Sequence, residues 1–373
     1  MTSIKEYIAD LIFVIRAPED GTDLAVNEAS RLSRAWFKIS MLLNVVNSPW
    51  LLRRGGYRRE LLVYAHSFVT SGTDPDIAFM AILNKLNNVL SSRLQWVNAS
   101  LTAVIVLSIM TGVLAFMTIL GAPPIVGLIN LAFIPLIHYY QIELVKYDYA
   151  KPLMSGIAGL GIGIAVTQIL KLPGLMAATT SITAFGLGFA TLYLPQFVRF
   201  ARDYLGMYNR VSKSFGELLL VHDPKPPTPR TIVERELVQL WDYAYSRGSR
   251  DVVERVNMVV DSFTNFIRQV VRSGFLYGPF IAVSYAMMLA LTAMLLALHA
   301  PALASSAVSS ASGISSAASI ISGFANTYAL FTMLIALGAS TSIIVGKAMH
   351  SIGLGISLLP LFLTPIIALM GWL

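Results

Sequence analysis

The sequence predicts an all-α polytopic membrane protein with seven transmembrane helices and two repeated cytosolic three-helix units. Composition is the first observation behind that prediction: 55% of the 373 residues are hydrophobic, 13% are charged, and the mean hydropathy is +0.67. About a quarter of an ordinary soluble chain is charged, so a soluble fold of this composition would expose very large apolar patches. The placement of the charges is the second observation, and an internal offset of 176 residues is the third. With no cysteine, the chain can form no disulfide, thiolate nucleophile or Cys-ligated metal site.

A charged side chain at a helix centre costs about 2.5–3.5 kcal/mol on insertion, so uncharged runs mark the spans. They fall at 101–121, 125–140, 153–170, 175–194, 276–298, 326–346 and 352–373. Most approach the ~20 residues that a hydrocarbon core requires, and the second, shorter one begins after Pro123–Pro124. Of the 27 basic residues, 11 lie in 1–100 and 12 in 195–275, and only Lys171 lies in a segment placed outside. The positive-inside rule then puts the N-terminus inside and the C-terminus outside a cell membrane. The net charge of +7 belongs to segments beside anionic headgroups and calls for no nucleic acid. Glu6 and Asp10 precede a short apolar stretch, Leu11–Ile15, that Arg16 closes; this is no secretory signal and is expected to stay on the mature protein.

The chain thus divides into a first cytosolic helical unit (1–100), four spans (101–194), a second cytosolic unit (195–275) and three spans (276–373). An Ala/Ser/Gly-rich outer segment at 299–325 is expected to be a flexible or weakly helical loop. An ungapped offset of 176 residues aligns the two cytosolic units, setting Arg59-Glu60-Leu61 on Arg235-Glu236-Leu237, Arg34 on Arg210, and Gly72 on Gly248. Downstream, Ile77, Met80, Leu83, Leu90 and Leu94 fall on Val253, Val256, Val259, Phe266 and Val270, a spacing that fits one helix face. Each unit reads as three helices: 25–46, 57–71 and 74–98, then 198–221, 231–247 and 249–275. Gly72 and Gly248 suit left-handed caps before the last helix. Both copies enter the membrane from the same side, as parallel repeats.

Catalytic arrangements are thin. No two of the five histidines have the spacing of a helical metal site, and carboxylate pairs such as Glu19-Asp20 and Asp74/Asp76 sit where capping is expected. No cofactor site is implied. Gly159 and Gly163 form a Gly-x-x-x-Gly without the lysine of a nucleotide loop, so close helix packing explains them, with Gly186 and Gly188 as the matching surface. What remains is arginine-rich surface: Arg53, Arg54, Arg58 and Arg59 in the first unit, and Arg235, Arg247, Arg250 and Arg255 in the second. Such surface suits lipid headgroups or an acidic face on a cytosolic partner.

This arrangement resembles the type II secretion F family, the platform proteins of type IV pili, archaella and type II secretion systems. The likeness rests on the repeated cytosolic unit, on Ser71-Gly72 and Arg247-Gly248, and on the run Gly346-Lys347-Ala348-Met349-His350-Ser351-Ile352-Gly353-Leu354-Gly355. It extends over residues 25–373, and seven spans fit the archaeal branch. The resemblance implies a platform that is not an enzyme. Its partners would be a hexameric secretion ATPase, docked through the arginines, together with pilin-like subunits and membrane lipids; it also allows a homo-oligomer such as a dimer. A small-solute transporter or lipid flippase without ion coupling is the alternative, since no ionisable group sits near a span centre.

Overall fold

The computed structural model describes residues 4–46, 56–119, 132, 135, 144, 148–221, 224–309 and 315–372, and no strand occurs among them. The helices are α1 (Ile4–Asp20), α2 (Thr22–Leu32), α3 (Arg34–Val46), α4 (Tyr57–Thr70), α5 (Pro75–Ile119) and α6 (Ala150–Ile169). They continue with α7 (Gly174–Leu220), α8 (Ile232–Arg247), α9 (Arg250–Ser309), α10 (Ser315–Ala348) and α11 (Ile352–Trp372). Four of them are long and apolar enough to cross a membrane over Ala150–Ile169, Gly174–Leu220, Tyr328–Ala348 and Ile352–Gly371. The chain is therefore an all-helical protein with the attributes of a membrane protein. The expected second span, 125–140, lies essentially outside the described residues.

Two compact units are present. The first comprises 1–97, 140–146 and 200–272, so the two charged segments fold together; the second comprises 98–139, 147–199 and 273–373. Residues of α5, α7 and α9 belong to both.

Local chemistry accounts for the helix ends in the first unit. Ser33 is extended and its Oγ accepts from the backbone N–H of Ala35 and Trp36, which starts α3 and splits the single helix expected over 25–46. Asp74 Oδ1 accepts from the Asp76 N–H at 2.8 Å and starts α5. Thr231 and Glu234 form a reciprocal capping box at the start of α8. Gly72 and Gly248 have φ of +67° and +64°, the left-handed cap conformation that glycine adopts at least cost.

Three expectations are corrected. The first charged segment holds a helix beyond the three expected: residues 4–20 form α1, with Ile4, Tyr7, Ile8, Leu11, Phe13, Val14 and Ile15 all buried and Lys5 and Glu19 exposed. Ile77 and Met80 are exposed; α5 instead buries Ala78, Phe79, Ile82, Leu83, Leu86 and Leu90. The 176-residue offset therefore carries the buried face of α5 onto α9 only in part: Leu83 with Val259 and Leu90 with Phe266 are buried in both, while Ile77 and Met80 are exposed where Val253 and Val256 are buried. Contacts of the helices, not the alignment, select which side faces inward. Finally, helix runs through 299–309 and 315–325, where a flexible or weakly helical loop was expected.

In the second unit, glycines set how closely helices approach. A Cβ on Gly159 of α6 would lie 3.3 Å from Gly188 Cα of α7 and would strike the Ala184 carbonyl oxygen, while one on Gly163 would lie 2.9 Å from Ser181 Cα. Gly186 faces a different neighbour, with Pro360 of α11 2.7 Å from its Cβ position. The α10–α11 hairpin turns at His350, whose φ of +63° is unusual outside glycine. Around it, Ser351 N–H donates to Gly346 O at 2.8 Å and His350 N–H to Lys347 O at 3.0 Å. That pair of bonds is a Schellman cap, which satisfies carbonyls that the end of α10 would otherwise leave open.

Candidate functional site

The first unit carries the charge, and the structure sorts its eight singled-out arginines. Arg53 and Arg54 lie outside the described residues. Arg58, on the first turn of α4, is 13% exposed on its side chain and binds Asp10 and Glu6 of α1. Its Nε donates to Asp10 Oδ1 at 2.6 Å and its Nη2 to Asp10 Oδ2 at 3.1 Å, a bidentate pair. Asp10 is fully buried and accepts two further bonds, from Tyr57 Oη at 2.6 Å and Trp36 Nε1 at 2.7 Å. Burial pushes the Asp10 carboxyl above the usual carboxylate range, while Arg58, Tyr57 and Trp36 pull it back. Burial would lower the Arg58 guanidinium, but Asp10, then Tyr57 and Glu6, carry it above its ordinary value. Tyr57 is raised by burial and by the Asp10 charge, so its hydroxyl stays a donor.

Arg255, on α9, is the second internal pin. Its side chain is 9% exposed, with Nη1 2.6 Å from Glu19 and Nη2 2.7 Å from Asp76, and it lies over the Phe79 ring. Arg58 and Arg255 are thus committed to carboxylates of this chain. Their expected role in docking is corrected to positioning: each ties α1 to a helix distant in sequence.

The others reach solvent. Arg250 is 84% exposed and pairs with Glu254 at 2.9 Å, Arg235 is exposed with Glu236 3.7 Å away, and Arg247 reaches Asp20 at 3.4 Å. Arg59 is half-buried. Exposed pairs of this kind are worth at most about 1 kcal/mol, so a partner can compete for them. Glu60 and Glu236, aligned by sequence, differ in setting: Glu60 is exposed beside Lys85, whereas Glu236 is buried. The carboxylate that matters in the second segment is Glu234, buried, holding Arg210 at 2.8 Å and capping α8. Aligned at the 176-residue offset, Arg58 and Glu234 are both buried ionic anchors of opposite sign.

Asp74 caps α5 as its type suggests, but Glu19, Asp20 and Asp76 serve as ion-pair partners. Among the described residues no three His, Asp or Glu side chains could hold a metal ion. His66 Nδ1 lies 3.2 Å from Thr22 Oγ1, and His138 and His222 lie outside the described residues. Sequence reasoning missed α1 as the hub of this site. An available signal was Asp10 between Ala9 and Leu11, a charge within an apolar stretch, which in a folded chain needs a buried partner.

The arrangement is a set of helices joined by buried ion pairs, with exposed arginines at its surface. Compared with family models, with curated proteins and with solved structures, the chain finds no match in any of the three.

Proposed function

We propose that this chain is the membrane platform on which a type IV pilus-like filament is assembled, coupling a hexameric cytoplasmic ATPase to the insertion of pilin subunits. It crosses the cell membrane seven times, N-terminus inside and C-terminus outside, and its two charged segments are copies of one unit. The observation that carries this reading is the joining of both charged segments into one compact helical unit that shares α5, α7 and α9 with the apolar unit. Such helices suit the transfer of a partner's displacement to the bilayer. The left-handed glycines at 72 and 248 support the duplication, as does the parallel pairing of α5 with α9 through Asn87 and Ser262.

Topology is tested with single cysteines, which have no background in this chain. An impermeant thiol reagent added to intact cells is expected to label S310C and to spare S249C; the reverse pattern removes the orientation. Docking is tested on arginines not used as internal pins. The variant R235E/R247E/R250E is expected to lose ATPase capture and filaments while expression and insertion persist, because exposed changes cost within ~0.5 kcal/mol each. Capture by the unaltered protein should weaken with salt, since exposed pairs are screened over about 8–10 Å. Unchanged filament number with salt-independent capture would remove these arginines from the mechanism. A solute carrier would keep transporting in the same variant.

A further inference from the structure

Three exposed arginines of the first unit, Arg202 on α7 and Arg268 and Arg272 on α9, have no carboxylate partner among the described residues. This sets them apart from Arg247, Arg250 and Arg255, which acids of the chain neutralise. Arg268 lies over the Tyr208 ring at 5.4 Å, and Ser212 bonds Asp261, so α7 and α9 run antiparallel with these residues level. α5 and α9 run parallel, joined by Arg255 to Asp76 near their starts and by Ser262 to Asn87 further along.

These contacts fix heights along the helices. From Ser262 to Arg272, and from Ser212 back to Arg202, the rise is about 15 Å; from Asn87 to Trp96 it is about 13.5 Å. Arg202, Arg272 and Trp96 therefore stand at one level on three helices, with Arg268 one turn below. Trp96 is 56% exposed. The uncharged runs begin at Leu101 and Leu276 and end at Leu194, four to eight residues beyond that level. That is about 6 Å for Arg272, about 7.5 Å for Trp96 and about 12 Å for Arg202, against about 5–8 Å of headgroup layer on each side of the hydrocarbon. Arg272 and Trp96 therefore stand in that layer and Arg202 at its outer edge, within reach of its long side chain.

We infer that Arg202, Arg268 and Arg272, with Trp96 beside them, form a site for anionic phospholipid headgroups. Guanidiniums without a carboxylate partner bind phosphate oxygens in bidentate fashion, and an indole at the same height fits the headgroup level. A headgroup layer is a plane, so a shared height is sufficient even where the residues face different sides. An acidic protein surface would equally find Arg250 and Arg235, but it would have no use for an exposed indole at the edge of the apolar runs. The inference requires only that the chain spans a bilayer; it holds whether or not a filament is built on it.

The test uses the full chain, extracted in detergent with phosphatidylglycerol and phosphatidylcholine in equal amounts, and native mass spectrometry of retained lipid. The unaltered protein is expected to prefer phosphatidylglycerol, and excess inorganic phosphate should not abolish that preference. R202Q/R268Q/R272Q should lower it by about fivefold per arginine, the equivalent of the affinity of one basic residue for an anionic surface. R31Q/K38Q/K213Q, with the same change in charge, should retain it. Should the first variant fail to fold, brominated phosphatidylglycerol is expected to quench the unaltered protein more than brominated phosphatidylcholine, with the difference lost in W96F. Equal retention of the two lipids, a preference that survives in R202Q/R268Q/R272Q, displacement by inorganic phosphate, or quenching indifferent to headgroup would each overturn the assignment.

Discussion

Asp10→Ala is expected to lower the stability of the chain by about 3–5 kcal/mol, as is Arg58→Ala, because the first leaves the buried Arg58 with Glu6 alone and the second leaves the buried Asp10 without its cation. Asp10 has no solvent exposure and takes four hydrogen bonds from three residues, Arg58, Tyr57 and Trp36. Removing the carboxylate orphans the Tyr57 hydroxyl and the Trp36 indole N–H as well as the guanidinium, and each unsatisfied buried donor adds about 1–3 kcal/mol. Asp10→Asn, equal in volume, should recover little, since it cannot offer two acceptor oxygens to a bidentate guanidinium. The double variant D10L/R58M should be less damaging than the sum of the two alanine variants, because replacing both charges avoids the unpaired one. Thermal midpoints of the purified protein in detergent, measured as a double-mutant cycle, check this. Additive losses would mean that Asp10 and Arg58 act separately, against the bidentate geometry. If the same variants leave docking of a partner intact whenever the protein still folds, Arg58 is a positioning residue and not a contact.

Gly346→Val is expected to spread the α10–α11 hairpin. A Cβ at Gly346 would sit 2.5 Å from Gly355 Cα and 2.6 Å from the Ser351 oxygen, and closer still to Gly355 N. All three are backbone atoms, so no side chain can swing away, whereas carbon atoms in comfortable contact are about 3.5–4.0 Å apart. The helices must separate, loosening Ile344 and Val345 from their buried positions and the bond from Ser342 Oγ to the Gly355 carbonyl. Overpacking typically costs about 1–3 kcal/mol, and a backbone-to-backbone clash belongs at or above the top of that range. Gly161→Ala is the control: nothing lies within 4 Å of its Cβ position, and alanine is favoured over glycine inside a helix by about 0.5–1 kcal/mol. Loss of melting temperature in the first variant and none in the second is the expected result. Equal behaviour would show that the hairpin does not depend on this approach.

The charged surface was legible in the sequence only in part. An arginine cluster suggests exposed charge, and Arg235, Arg247 and Arg250 are exposed. Arg58 and Arg255 are turned inward onto carboxylates of the chain. Nothing local separates them from their neighbours: Arg58 and Arg59 are adjacent, and the difference is that one side chain turns towards Asp10. Likewise the aligned Glu60 and Glu236 share a triplet but not an environment, because burial depends on what packs over a helix and not on which residues flank it.

What the sequence determined by itself is whatever depends on composition and on the nearest few residues. The helical class, the long apolar stretches and the left-handed turns at Gly72 and Gly248 are of this kind, since desolvation of charge and backbone sterics act residue by residue. The tertiary structure alone decided the partners. Asp10 meets Arg58 across 48 positions and Glu19 meets Arg255 across 236, and Gly186 turns to α11 while Gly188 turns to α6. Such pairings are chosen by the packing of whole helices, where a rotation of one residue is 100° about the axis and carries a side chain from the core to the solvent.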